Sequence, residues 1–352
     1  MNRTFIVRAE TIVTVSYLGT IQNGAMIVEQ GKIRDIASWD VIQPVAGKIP
    51  VIDCGKRVIT PSLIDCHTHL LEFAPAAHYP VTRHSHGLGA KAMLLQALNS
   101  GITALGEQIC GFHLYDLGLA QFREWVQDVP LDVRFSLSTI SIGFERPVHF
   151  SAATKSRPIP QEKLTDAEIL GFLAEHSEYP GENLFINATP ANFTEHVVPN
   201  AGKIMYSQEQ LARIAEFYHA KGKKAGAHVG GETAIDMALK AGIDVLHHAH
   251  GITDDLIAKA KTQKTAVVAT PTGGTHEAPN TPEEIAKLAR AGLTVAISTD
   301  AYLPPHPKAC LPAEWRGKSL LGPEALMAAA HPSMRRLADD GVNENDILAL
   351  IT

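Results

Sequence analysis

Cysteine is scarce. Four residues (Cys54, Cys66, Cys110, Cys310) in a chain of 352 form no C-x-x-C pair and no disulfide-like spacing, so reduced thiols in a cytoplasmic protein are the expectation. No stretch approaches the ~18 uncharged apolar residues of a membrane span, and the opening MNRTFIVRAETIV lacks the continuous apolar core of a signal peptide. A basic excess is missing too. With 31 Lys+Arg against 37 Asp+Glu the net charge is −6, which argues against a nucleic-acid binder. Aromatic residues make up only 6% and form no stripe, so no aromatic cofactor cage is implied. There is no phosphate loop, no Gly-x-Gly-x-x-Gly after an early strand, no internal repeat and no low-complexity segment. At 45% hydrophobic and 19% charged, disordered, collagen-like and coiled-coil chains are excluded as well. Histidine is what the chain does have. Its 17 copies supply the side chain most used for metal ligation and for acid–base work near neutral pH.

The length suggests two domains, although one α/β barrel could absorb most of it. Residues 4–16 and 24–37 read as short strands, with turn signals at Leu18-Gly19, Asn23-Gly24 and Gln30-Gly31. Strands before any helix predict a small N-terminal β unit over residues 1–60. From Val58 onward eight apolar runs follow: Ser62–Cys66, Ile102–Leu105, Val133–Ile140, Leu184–Ile186, Lys224–Ala227, Val245–Leu246, Ala266–Ala269 and Thr294–Ile297. Segments of helical periodicity separate them. Short, continuously apolar strands alternating with helices are what a parallel sheet covered on both faces requires. Eight such units predict a (β/α)8 TIM-type barrel over residues 61–352. The stretch Ser141–Lys163 has no periodicity and reads as a long lid or binding loop.

Barrel active sites lie at the C-terminal ends of strands, so the residues just beyond each run matter most. The first run ends in Cys66-His67-Thr68-His69. On a strand, residues i and i+2 share a face, so His67 and His69 point together. Two converging imidazoles pack poorly but bind Zn²⁺ well. The fifth run ends at His228, the sixth in His247-His248-Ala249-His250, and the eighth at Asp300. One such residue means little; four histidines and an aspartate at strand ends 1, 1, 5, 6 and 8 form a constellation. Glu107 and Cys110, beyond the second run, are candidates to bind substrate or orient a ligand. Asn192, Glu195 and His196 follow the fourth run and lie within reach of the mouth.

This pattern resembles the amidohydrolase superfamily of metal-dependent hydrolases, and the likeness runs over nearly the whole chain. Val58-Ile-Thr-Pro-Ser-Leu-Ile-Asp-Cys-His-Thr-His69, Ala227-His-Val-Gly-Gly231, Asp244-Val-Leu-His-His-Ala249 and Ser298-Thr-Asp300 carry it. The resemblance implies that His67, His69, His228, His248 and Asp300 form the metal site, with Asp300 and His248 also catalytic. It also implies that residues 1–60 are half of a small β-sandwich whose C-terminal strands are lacking where the chain stops at Thr352. Many members carry a carboxylated Lys at the end of strand four, and here Asn187 stands at that position. A neutral amide cannot bridge two dications, so one divalent metal per chain is expected, zinc from the imidazole and carboxylate donors, with Asn187 a possible ligand. Asn at this place is similar to the phenylurea and molinate hydrolase branch. Cys110 lies where D-aminoacylase-like members place a bridging Cys.

The resemblance implies hydrolysis of an amide, urea or (thio)carbamate C–N bond by a metal-activated water. Asp300 would move the proton, and His248 or His250 would donate to the oxyanion. A deaminase or cyclic amidase using the same site is the alternative, although Glu232 follows His228 by four residues where family deaminases place an acid at three. A non-catalytic scaffold would predict decayed ligands. The expected partner is a small-molecule substrate, with no nucleic acid and no membrane, and the chain is expected to be a homo-oligomer.

Overall fold

The computed structural model describes residues 4–111, 117–143, 147–188 and 200–352. The chain divides into two compact units, residues 1–62 with 337–350 and 352, and residues 63–336 with 351. In the first, β1 (Thr4–Val13), β2 (Thr20–Glu29), β3 (Lys32–Ser38), β4 (Val51–Asp53) and β5 (Val58–Ile59) form one five-stranded sheet. β2 and β3 run antiparallel to their neighbours, while β4 and β5 pair parallel with β1. The helix Trp39–Ala46 packs Ile42 and Ala46 against Ile6, Ala25 and Ile27.

Two details differ from the sequence reading. Asn23-Gly24 is not a turn but lies inside β2, whereas Gln30-Gly31 is one; the predicted strand 24–37 is therefore two. The unit is also not residues 1–60 alone. Residues 337–350 belong to it, because Asn345 accepts from the Val15 amide at 2.9 Å and Glu344 from Thr20 at 2.6 Å. The apolar tail that reads as a last barrel element has its polar anchors just beyond β1 and on β2.

The second unit is a TIM-barrel-like α/β arrangement. Its strands are β6 (Leu63–Thr68), β7 (Ile102–Ile109), β8 (Asp132–Leu137), β9 (Thr139–Gly143), β10 (Pro147–Ser151), β11 (Leu184–Phe185), β12 (Gly226–Gly230), β13 (Val245–His250), β14 (Ala266–Ala269) and β15 (Val295–Ile297). β6, β7 and β8 pair in parallel; β9, β11, β12, β13, β14 and β15 do likewise. The third barrel position is shared, because the chain changes partner at Ser138. Its amide bonds Ile109 O at 3.0 Å, and the next amide, of Thr139, bonds Asn183 O at 3.1 Å. A parallel bridge between Thr68 and Ala301 joins β6 to the residues after β15. Buried Asp65 reinforces that junction by accepting from Ser298 Oγ, Thr299 N and Thr299 Oγ1.

Each of the eight apolar runs overlaps a strand, the third spanning β8 and the start of β9 and the fifth meeting β12 only at Gly226–Ala227, and helices such as Gln208–Ala220 and Pro282–Arg290 lie between runs. Three helices show why their ends are legible. Ser207 and Thr281 close capping boxes with Gln210 and Glu284, and Asp166 accepts from Glu168 N and Ile169 N. The predicted loop Ser141–Lys163 is partly ordered. β9 and β10 form an antiparallel hairpin with Ile140 opposite Phe150 and Ser141 opposite His149, an alternation too short to stand out from the sequence. Among the described residues, no helix is long and apolar enough to cross a membrane.

The strand rows set the height of each side chain. Leu184, Ala227, Leu246, Val267 and Val295 are in register, and the next row is Phe185, His228, His247, Val268 and Ala296. Apolar packing thus sits below imidazoles. Gly226, at the start of β12, lies hard against the backbone of Pro180 and Gly181, where an added Cβ would collide with both carbonyls. Gly226→Ala should therefore cost about 1–3 kcal/mol, as overpacking does, read by urea denaturation. An unchanged midpoint would show that this approach is not tight.

Candidate metal centre

The structure brings His67, His69, His228, His248 and Asp300 to one place, and at its middle stands a residue that the sequence reading passed over, Glu182. Its carboxylate is buried, 1% exposed. Oε1 lies 2.7 Å from both His228 Nδ1 and His248 Nε2, and Oε2 lies 3.4 and 3.7 Å from His67 Nε2 and His69 Nε2. Asp300 Oδ1 approaches the same two nitrogens at 3.2 and 3.3 Å. Three overlapping sets of potential ligand atoms result: His67, His69 and Glu182; His67, His248 and Asp300; and Glu182, His228 and His248.

Local backbone delivers these groups. His67 and His69 share a face of β6 and of the chain just beyond it. In β13 regular alternation would send His247 and His248 to opposite faces. Instead His248 (φ 70°) and Ala249 (φ 48°) take left-handed conformations, and the register to β12 slips there, so both imidazoles enter the interior. Asp300 is likewise left-handed at φ 54°. Such strained positions collect at functional sites. Glu182 enters from the N-terminal side of β11. Its amide donates to Gln108 Oε1 at 2.9 Å, and the neighbouring Asn183 side chain is held by Gly226 N, Ser136, Ser177 and Leu137 O.

Ring tautomers can be traced through the bonds. His247 Nε2 faces the carbonyl of Pro180 at 3.1 Å, which only accepts, so the proton is there. Its Nδ1 therefore accepts from His67 Nδ1 at 2.8 Å, which leaves the His67 Nε2 lone pair aimed at Asp300 and Glu182. Thr270 Oγ1 donates to Gly273 O and accepts from His248 Nδ1 at 2.7 Å; the His248 Nε2 lone pair then faces Glu182 Oε1. Lone pairs facing carboxylate oxygens repel unless a proton or a cation stands between them. His67 Nε2 and His228 Nε2 are buried without a hydrogen-bond partner. The donor set fits a divalent metal of the kind that imidazole and carboxylate bind.

Charge states agree. Burial alone would push His67 down, but Glu182 and Asp300 outweigh it and lift its pKa to about 10. Burial would raise Glu182 and Asp300, yet the surrounding imidazoles hold both well below the usual carboxylate range. Burial, then the charge of His67, depresses His247 to about 3, and burial with His228 depresses His248 to about 4. In the metal-free protein a proton on His67, with His69 raised by the same carboxylates, takes the place of the cation.

The other candidates sort as follows. Asn187, a possible ligand by the sequence, is otherwise engaged: its Nδ2 donates to Gly202 O at 3.0 Å and its Oδ1 accepts from Gly230 N at 2.8 Å, so both amide atoms serve backbone. The chain rises past the site at Asn187, and the carboxylate comes from five residues earlier. A glutamate in Tyr179-Pro-Gly-Glu-Asn183 precedes the apolar run, whereas the sequence reading looks only after runs. Cys110 is buried, burial holds its thiol protonated, and it belongs to none of the ligand sets. Its amide, with that of Gly111, donates to buried Glu72. Glu107 accepts from Thr68 Oγ1, Leu70 N and Leu71 N at 2.7–3.1 Å, and so fixes the turn that carries His69. His250 turns to Thr275 Oγ1 and Thr270; it is not placed to serve an oxyanion. Glu232 opens the helix Glu232–Ala241. Asn192, Glu195 and His196 lie outside the described residues.

An amidohydrolase family model matches residues 58–314. The chain is similar to an imidazolonepropionase of Brucella anthropi, 39% identical over 61 residues, which span 17% of this chain and only 15% of that relative. An imidazolonepropionase of Mesorhizobium japonicum is 25% identical over 315 residues, 82% of this chain and 73% of its own. Among solved structures, molinate hydrolase superposes with a TM-score of 0.68 at 14% identity, covering 100% of this chain and 84% of its own; that likeness speaks for the fold.

Because His67 must lose its proton before it can bind a cation, and His69 is raised as well, metal binding should release at least one proton per chain near neutral pH, and affinity should rise with pH up to about 10. Calorimetry of zinc binding in buffers of different ionisation enthalpy reads this directly. Binding without proton release would contradict the assigned state of His67. His247→Phe, which removes the acceptor of the His67 proton, should weaken zinc binding roughly 10–100-fold.

Proposed function

The chain belongs to the amidohydrolase family, and from that premise we propose that it is a metal-dependent hydrolase of C–N bonds of the amide, urea or (thio)carbamate type. The convergence of His67, His69, His228, His248 and Asp300 on buried Glu182, beside a cavity that His69, Glu182, His228, His248 and Asp300 help to line, carries this reading.

His67 and His69 with Asp300, and His228 with His248, are the residues that would hold divalent metal, zinc by the donor chemistry, with Glu182 shared between the two groups. The expectation of a single metal rested on Asn187; with an anionic Glu182 in the centre, two per chain is the reading. Bound there, such a cation lowers the pKa of water and polarises a carbonyl.

The protein's own groups account for the proton. Asp300 stays ionised at neutral pH and faces the cavity, so it accepts the proton of the attacking water and returns it to the leaving nitrogen. A C–O bond forms, the C–N bond breaks, and amine and acid leave. Gly274 lets the chain pass against this pair, since a Cβ there would strike both His248 and Asp300.

Asp300→Asn should lower kcat about 10²–10⁴-fold in an assay of metal-loaded protein against a panel of amides, ureas and carbamates. Glu182→Gln should reduce the zinc content, measured by elemental analysis, and chelation should abolish turnover. Turnover that survives both chelation and Asp300→Asn would refute the reading.

A further inference from the structure

The cavity beside the carboxylate–imidazole cluster has a volume of about 220 Å³ and two unlike sides. One is the ligand set. The other is hydrocarbon: Phe73, Ile140, Ile142, Phe150, Tyr302 and Leu303. Tyr302 presents only its ring, because its hydroxyl donates to Gln96 Oε1 at 2.5 Å. Ile140, Ile142 and Phe150 belong to the β9–β10 hairpin, whose other face pairs Ser141 with His149. The alternation thus turns polar residues away and apolar ones toward the cavity. These three remain partly exposed in the free protein. Among the described residues, no Lys or Arg lines the cavity, and its only carboxylates and imidazoles are those of the metal centre.

We infer that this wall receives an uncharged, apolar substituent of the substrate, a short alkyl chain or a single ring, attached to the scissile C–N group. The inference rests on reading the cluster as the reacting centre. Apolar side chains left half-covered gain by being covered, whereas a carboxylate or ammonium set against them would lose its hydration without gaining a partner. Size sets the upper limit. An apolar cavity of roughly 150 Å³ accepts benzene, so about 220 Å³ accommodates one ring or a chain of a few carbons, not a peptide or a fused polycycle.

The test is a chain-length series. Acetamide, butanamide and hexanamide are titrated into zinc-loaded protein by NMR, with 5-amino-5-oxopentanoate as the anionic counterpart, and hydrolysis of each is followed in parallel. Affinity should rise roughly fourfold per methylene and level off as the cavity fills, and the anionic amide should bind far more weakly than hexanamide. Ile142→Asp and Phe150→Gln, both on the partly exposed hairpin, should flatten the series without changing zinc content. A flat or falling series in the unmodified protein, or equal binding of the anionic amide, overturns the inference whatever the variants do. A rising series with no C–N cleavage in any amide, urea or carbamate supports this wall while overturning the proposed reaction.

Discussion

A carboxylate sealed from water is costly unless positive charge or hydrogen bonds surround it, and Glu182 places the whole interior under that constraint. Its two oxygens meet four imidazoles. Burial opposes ionisation and the imidazoles outweigh it, but imidazoles only do so if they carry charge or face a cation. Each in turn is buried, and burial pushes His248 to about 4. His67 and His69 are both lifted by the carboxylates, His67 to about 10, while burial wins on His247 and His248, and a divalent cation would take over the charge that the lifted rings supply. Affinity for a divalent cation is in this sense a consequence of burying Glu182 and Asp300 among imidazoles.

Holding so many polar groups in place requires a second set of contacts, and much of it is backbone. His247 fixes the tautomer of His67, and Thr270 that of His248. The two buried glutamates beside the mouth act reciprocally: Glu107 at the end of β7 takes amides from the turn after β6, and Glu72 in the segment after β6 takes amides from the turn after β7. Burial raises both to about 7, so each gains its ionised character from the amides it collects. Asp65 ties β6 to the segment that bears Asp300. The proposed metal ligands of strands one and eight are thus positioned by carboxylates one step behind them.

Legibility followed the physics of each signal. Parallel strands buried on both faces must be apolar throughout, so the runs at 102–105, 266–269 and 294–297 are visible in the sequence. A ligand that follows such a run, as His228 and Asp300 do, is visible for the same reason. Glu182 is hidden because it precedes its run and β11 is only Leu184–Phe185; a long side chain rising from the N-terminal side leaves no periodic trace. Asn187 misled for a related reason. The end of a two-residue strand fixes little, and the amide there turns to Gly202 and Gly230. The family resemblance gave the ligand position to His248 and no role to His247; alternation would assign these neighbours to opposite faces, and the left-handed pair at 248–249 sends both inward. The hairpin β9–β10 was read as irregular because its alternation spans five residues on each strand.

The apolar wall and the charged centre are not independent. Hydrocarbon at Phe73, Ile140, Ile142 and Phe150 keeps the local dielectric low, and the interactions among Glu182, Asp300 and the imidazoles are stronger for it. Preorganised charges act on a reacting group with most effect where water is excluded. The same side chains that favour an uncharged substituent therefore also sharpen the field at the cluster. A polar residue at position 142 would admit a charged substrate, but the water arriving with it would screen Asp300 from its proton partner. Selectivity and rate are coupled through one hairpin, and a change of specificity would have to come from residues that border the cavity without shielding the carboxylates.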